Sequence, residues 1–282
     1  MPELPEVETI RRQLAPRVAG RRLARVRVQD ERWCFPLRPP AMERALAGRR
    51  VEALGRRGKY LVWKLSGERF LLQHLRMTGN LLYDPAERPI HTRVEIALDD
   101  GHRLLYADAR RFGTGQLAEG PDGLAAFLDA RLGLEPFDEG FDADHLRALA
   151  RGSRAPVKAF LLDQKRVAGV GNIYADEALF RARVHPLRPA GRVTRAQWEA
   201  IAPAIVETLE AGIAANGASI DDFRDLDGAY GSFQDEFLIH LHEGDPCSRC
   251  GAPVRKIVAA GRGTYVCEHC QPRPRVRRPT RR

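Results

Sequence analysis

The chain has 282 residues, 44% hydrophobic and 29% charged, which is enough for two ordinary domains, each with its own core. No apolar run is long enough to span a bilayer and the acidic, proline-containing start is unlike a secretory signal, so a cytoplasmic protein with no membrane partner is expected. The net charge of +9 points to an anionic partner such as nucleic acid, but six arginines lie in the Pro/Arg-rich tail from Pro272 to Arg282, leaving +3 for the rest, so the case for nucleic acid must come from the folded part.

The chain opens Met1-Pro2-Glu3-Leu4-Pro5-Glu6-Val7-Glu8. Val7, Ile10, Leu14 and Val18 recur at helical spacing, and Arg11, Arg12 and Arg17 gather toward the far end, so the segment reads as a helix whose mouth presents Pro2 and Glu3. Two readings fit that mouth. It is an ordinary helix start, with proline in the first turn and acids at the positive end of the dipole. Alternatively, removal of Met1 turns Pro2 into a secondary-amine nucleophile. Roughly one in ten α-amino groups is neutral at pH 7, against roughly one lysine in a few thousand.

Strand-like runs follow at 23–28, 60–65, 70–75, 93–98 and 103–106, separated by Gly-, Pro- and Asp-rich breaks, which predicts an antiparallel sandwich or barrel over residues 1–115. Residues 116–140, with their glycines and Glu135-Pro136, read as a linker. From about residue 141 to 235 the period becomes helical. Pro156 sits at a helix start, Gly169-Val170-Gly171 separates that helix from a second, and Thr194 with Gln197 predicts a capping box ahead of Trp198. Residues 236–271 hold a cysteine-rich module, and 272–282 form a basic tail that reads as disordered.

Cys247-x2-Cys250, sixteen residues, then Cys267-x2-Cys270 has the two-knuckle spacing of a tetrahedral zinc site. Two disulfides are the alternative, but nothing directs the chain to an oxidising compartment. Four thiolates would fill the metal's shell, so the single Zn2+ is expected to be structural. Residues 254–258 and 264–266 are predicted to pair across a turn Gly261-Arg262-Gly263 that exposes Arg262. Cys34 has no ligand spacing and reads as a core thiol.

The string PELPEVET at residues 2–9 resembles the N-terminus of bacterial formamidopyrimidine-DNA glycosylases, and the likeness returns near 56–79, 108–113, 154–182 and 247–271. It implies a two-domain α+β protein, with an N-terminal β-sandwich and flanking helix, then a helical domain with a helix-two-turn-helix and a β-hairpin zinc finger. Pro2 would be the nucleophile and Glu3 its proton-transfer partner. In Arg56-Arg57-Gly58-Lys59, which could equally be solvated surface, Lys59 falls on a lysine assigned to proton transfer; in Gly-Arg-Gly-Thr-Tyr ahead of the second knuckle, Arg262 falls on a phosphate-contacting proton donor. His91 and Asn172 would contact DNA phosphates, Arg154 and Lys158 would lie near DNA, and Glu6 and Glu177 would support the site. Met77, Arg110 and Phe112, which singly could be ordinary core or surface residues, match three side chains inserted into the duplex: Met77 filling the gap left by an extruded nucleotide, Arg110 pairing with the orphaned base, Phe112 wedging the opposite stack. Extrusion costs a few kcal/mol, part of which insertion recovers.

The implied activity is bifunctional: a monomeric, nucleoid-associated DNA glycosylase and abasic-site lyase of base excision repair, acting on damaged double-stranded DNA. It would release 8-oxoguanine and formamidopyrimidines through a Pro2 Schiff base and cut the strand by β,δ-elimination. An endonuclease VIII-like enzyme for oxidised pyrimidines and a non-catalytic zinc-dependent DNA-binding protein are the rivals. Three departures stand out: Arg76 where the family usually has glycine, histidines at 240 and 242 in place of tyrosine and arginine, and an unfamiliar acidic segment over 216–233.

Overall fold

A computed structural model describes residues 2–274, so Met1 and residues 275–282 of the basic tail lie outside it. Contacts divide the described residues into two compact units, one running to residue 132 and including 210–235, the other of 133–209 and from 236 on.

In the first unit α1 (Leu4–Val18) is followed by β1 (Leu23–Val28), α2 (Glu31–Cys34), α3 (Pro39–Leu46), β2 (Val51–Arg57), β3 (Tyr60–Leu65), β4 (Arg69–His74), β5 (Gly79–Tyr83), β6 (Thr92–Leu98), β7 (Arg103–Asp108), β8 (Thr114–Glu119) and α4 (Gly120–Asp129). The strands form two four-stranded antiparallel sheets, ordered β1-β6-β7-β5 and β2-β3-β4-β8. Val26 and Ile96 from one sheet and Leu61 and Trp63 from the other share a core with Val7, Ile10, Leu14 and Val18 of α1, each of these four 0% exposed. Each such burial is worth about 1.5–3 kcal/mol, so the predicted stripe is what fixes the helix against the sandwich.

Residues 116–140 are not a plain linker. Their first part completes β8, and Pro121 occupies the first turn of α4, whose Leu124, Phe127 and Leu128 cover Tyr60, Phe70 and Leu72. The Gly-Pro pair that reads as a break is a helix start.

The second unit contains α5 (Ala143–Ala150), α6 (Val157–Leu162), α7 (Asn172–Arg181) and most of α8 (Arg195–Ala214), then β9 (Arg255–Ala259) and β10 (Arg262–Val266). The Thr194/Gln197 box is formed, with Gln197 N–H to Thr194 Oγ1 at 3.2 Å and Thr194 N–H to Gln197 Oε1 at 3.0 Å. Gln164 staples the turn between α6 and α7, accepting Gly169 N–H at 2.9 Å and donating to Val170 O at 2.9 Å. Residues 210–235, which chain order would leave with the helices, belong to the first unit because Phe223 and Leu226 join its core.

Candidate active site

Pro2 and Glu3 lie buried at the mouth of α1. Glu3 is the N-cap; its N–H donates to Glu6 Oε2 at 2.7 Å, and its carboxylate with the Glu6 backbone completes a capping box. Glutamate in this N-cap role sets a carboxylate at the positive end of the helix dipole, beside the proline. Glu6 Oε1 accepts Ala218 N–H at 2.8 Å, so Glu6 is a strut held on both oxygens. The strut needs Gly217: its φ is +83° and a Cβ there would stand 2.8 Å from Glu6 Cγ. Nothing in the sequence signals a contact 212 positions apart.

Lys59, 5% exposed, follows Gly58 in the two-residue turn between β2 and β3. That turn is tied to α1: Arg56 Nη1 donates to Gly58 O at 2.9 Å, and Arg56 Nε to Glu8 Oε2 at 3.1 Å. Glu8 also receives Arg11 at 2.7 Å and Arg12 at 2.9 Å. Burial pushes the Glu8 carboxyl up, but hydrogen bonds from Arg11 and Arg12, with the charge of Arg56, outweigh it and hold it at about 2. The i+3 and i+4 spacing of Arg11 and Arg12 is the sequence signal that marks Glu8.

Met77 is half-buried in the turn between β4 and β5. Arg76 before it keeps a left-handed backbone, φ +60°, as the family's usual glycine would. Its N–H donates to His74 Nδ1 at 3.0 Å. His74 can accept because burial, with Arg76 and Lys59 nearby, holds its pKa well below 6.5. Arg110 and the 49%-exposed Phe112 lie between β7 and β8, the guanidinium 4.7 Å from the ring centroid. Arg111 between them makes two bonds to buried Asp30, at 2.7 and 2.6 Å. His91 is exposed, with φ +66°.

In the second unit Arg154 is exposed just ahead of α6. Lys158 is not exposed. Its Nζ is 2.7 Å from Asp176 Oδ1 and donates to Thr264 Oγ1 at 2.8 Å, with Lys158 and Asp176 both 0% exposed as side chains. Asn172 Nδ2 donates to Gly263 O at 3.2 Å. Residues 158 and 172 therefore both grip the hairpin beside Arg262. Arg262 is exposed as the first residue of β10, paired with Ala259; the turn itself is Ala260-Gly261, one step earlier than expected, both with positive φ. Glu177, fully buried, accepts the N–H groups of Leu238, Ile239 and His240 at 3.0, 2.9 and 2.9 Å, anchoring the chain as it enters the finger. His240 is buried against Asp176, its Nδ1 2.9 Å from Oδ2, between the rings of Phe237 and Tyr265, so it braces the finger.

The sulfurs of Cys247, Cys250, Cys267 and Cys270 all lie within 4.8 Å of one another, with the 247–270 and 250–267 pairs 3.9 and 3.5 Å apart. Tetrahedral zinc with bonds of about 2.3 Å sets sulfurs roughly 3.8 Å apart, whereas a disulfide requires about 2.05 Å. The four residues thus fit one zinc ion with a closed, structural shell. Among the described residues no helix is long and apolar enough to cross a membrane.

The chain matches the family models described as the formamidopyrimidine-DNA glycosylase N-terminal domain over residues 1–115, the formamidopyrimidine-DNA glycosylase H2TH domain over 132–224 and the zinc finger found in FPG and IleRS over 244–273. The formamidopyrimidine-DNA glycosylase of Symbiobacterium thermophilum is 44% identical over 277 residues, covering 97% of this chain and 90% of that protein. Its counterpart in Stenotrophomonas maltophilia is 44% identical over 275 residues, covering 96% and 100%. Among solved structures, a complex of Lactococcus lactis Fpg with DNA containing an abasic site superimposes with a TM-score of 0.90 at 35% identity, covering 96% of this chain and 100% of that one. The MutM (Fpg) protein of Thermus thermophilus gives 0.87 at 41% identity, covering 96% and 98%. These matches define a zinc-finger DNA glycosylase of DNA repair. The chain belongs to the formamidopyrimidine-DNA glycosylase family, whose members release oxidised purines.

Proposed function

We propose that this glycosylase removes 8-oxoguanine and formamidopyrimidines by covalent catalysis at Pro2 once Met1 has been removed. The Pro2 nitrogen attacks deoxyribose C1′, the bond from C1′ to the base breaks, and the base departs with that electron pair and takes up a proton. Glu3 takes the proton that the Pro2 nitrogen loses and delivers it to the ring oxygen as the sugar opens to a cationic imine, an iminium ion with no N–H. The imine acidifies the neighbouring C2′–H; its loss expels the 3′ phosphate, and a second elimination expels the 5′ phosphate. Lys59 and Arg262 transfer protons in these eliminations.

His91, Arg154 and Asn172 contact phosphates and fix register. Met77 fills the space vacated by the extruded nucleotide, Arg110 pairs with the orphaned base and Phe112 wedges the opposite stack. Glu6 holds Glu3 in place, while Lys158 acts through the finger hairpin and Glu177 through the segment that enters the finger, rather than on DNA. The enzyme works as a monomer in the cytoplasm, on the nucleoid.

The observation that carries this reading is the buried carboxylate pair directly after Pro2, with Glu6 fixed on both oxygens and Glu3 held at the helix mouth. Lactococcus lactis Fpg has been solved with Fapy-dG DNA, which supports the purine assignment. One observation favours a second reading, since the same protein has also been solved with DNA containing an oxidised pyrimidine. Single-turnover cleavage of duplexes carrying 8-oxoguanine or an oxidised thymine separates the two. Cleavage at the purine should be at least about tenfold faster, a difference of roughly 1.4 kcal/mol in barrier; faster cleavage at the thymine would move the enzyme to the pyrimidine branch.

A further inference from the structure

Asp108 ends β7 and is 1% exposed, yet it lies among the loops that carry Met77, Arg110 and Phe112. Four donors converge on its carboxylate. Oδ1 accepts Thr78 Oγ1–H at 2.5 Å and Arg110 N–H at 3.2 Å; Oδ2 accepts Gly113 N–H at 2.8 Å and the Tyr106 hydroxyl at 3.2 Å. The backbone of Asp108 adds a third loop, its N–H donating to His91 O at 3.0 Å while its carbonyl accepts Arg93 Nε at 2.9 Å. Glycine is required on both sides of this knot: a Cβ at Gly79 or Gly113 would stand 2.4 or 1.7 Å from the Tyr106 hydroxyl oxygen. Burial and the adjacent Asp108 push the Tyr106 phenol up, so it stays a donor.

We propose that Asp108 is a positioning residue that locks the Met77 turn and the Arg110–Phe112 loop into one rigid unit, so that the three side chains enter the duplex in a fixed register. The inference rests on the reading of those three as inserting residues. Its chemistry is specific to a carboxylate, because each oxygen serves two donors. An amide replaces one oxygen with a donor and sets donor against donor on that side. Asp30 reinforces the arrangement through Arg111, but from one loop only.

The test is Asp108→Asn assayed on two substrates and in two backgrounds. Single-turnover excision of 8-oxoguanine from duplex DNA should fall roughly 10- to 100-fold, the size expected for a buried carboxylate losing hydrogen bonds. The rate should also depend less on which base stands opposite the lesion, because Arg110 would no longer be held in register against that base. Cleavage of a single-stranded abasic oligonucleotide, which has no partner strand to fill, should stay within about twofold. In a Met77→Ala/Arg110→Ala background the Asp108→Asn effect should shrink to the part Phe112 still carries, because Asp108 acts through the three inserting side chains. Thr78→Val, which removes one donor from a half-buried turn, should show the same pattern at roughly three- to tenfold.

Full duplex activity in both Asp108→Asn and Thr78→Val would overturn the proposal. So would equal losses on duplex and single strand, or an undiminished effect in the doubly substituted background. If Met77→Ala/Arg110→Ala by itself excises at the unsubstituted rate, the inserting role has failed, and the positioning role with it, an outcome distinguishable from failure of Asp108 alone.

Discussion

Arg76 shows how one residue can depart from a family pattern without loss of the local structure. The left-handed turn ahead of Met77 costs a non-glycine residue about 1–2 kcal/mol, and glycine would return about 0.5–1 of that to the entropy of the unfolded chain. Arg76→Gly should therefore raise stability by about 0.5–1 kcal/mol, read as a higher urea midpoint at unchanged slope; an unchanged or lower midpoint would mean that the arginine side chain contributes contacts that offset the strain. The residues most legible from sequence are those whose roles depend on position or spacing: Pro2 beside the start, the four cysteines in two knuckles. Lys158 was legible only as a basic residue. What decides its role is Asp176, eighteen positions on, which lies against its amine in a buried pair.

Among the elements, α1 follows directly on the proposed nucleophile, Pro2, and carries a charge network centred on Glu8. Glu8 joins Arg11, Arg12 and Arg56, and through Arg56 the turn bearing Lys59. Because the folded-state pKa of Glu8 is depressed to about 2, its stabilisation is complete above the ordinary glutamate range and is lost as pH falls from about 4.5 toward 2. Glu8→Gln should cost about 1–2 kcal/mol at pH 7, allowing for solvent screening. That gap, measured by urea denaturation, should narrow steadily between about pH 5 and pH 3; a gap independent of pH would show that packing, not charge, is what Glu8 supplies. The same helix fastens the acidic segment that looked unfamiliar in the sequence: Gln13 donates to Asp225 at 2.8 Å, and Arg17 makes two bonds to Asp227, at 2.6 and 2.8 Å. Periodic elements such as α1 and β6 are readable from pattern alone. The strand β2 is not, because Val51-Glu-Ala-Leu-Gly-Arg-Arg has no clean alternation, and the Pro-Pro opening of α3 and the Gly-Pro opening of α4 resemble loops.

At the scale of the molecule, chain order and spatial grouping part company after α8. Residues 210–235 return to the first unit, where Ala218 binds Glu6 and Phe223 enters the core, so part of the support for the candidate site comes from far along the chain. Such long-range pairing leaves no periodic trace, whereas the zinc finger is local and reads directly from its spacing. The finger has only a small apolar cluster of its own, around Ile239, Val254 and Tyr265 with Phe180, which explains why four cysteines are spent on a structural metal. The central claim is chemical: the imino group of Pro2 bonds to the sugar. Borohydride reduction during turnover of 8-oxoguanine duplex, followed by protease digestion and mass spectrometry, tests it most directly. Expected is DNA covalently attached to a peptide that begins at Pro2 and lacks Met1, with a lower adduct yield from Pro2→Gly at matched DNA occupancy; an adduct mapped to a lysine, or full turnover with Met1 retained, would contradict the claim.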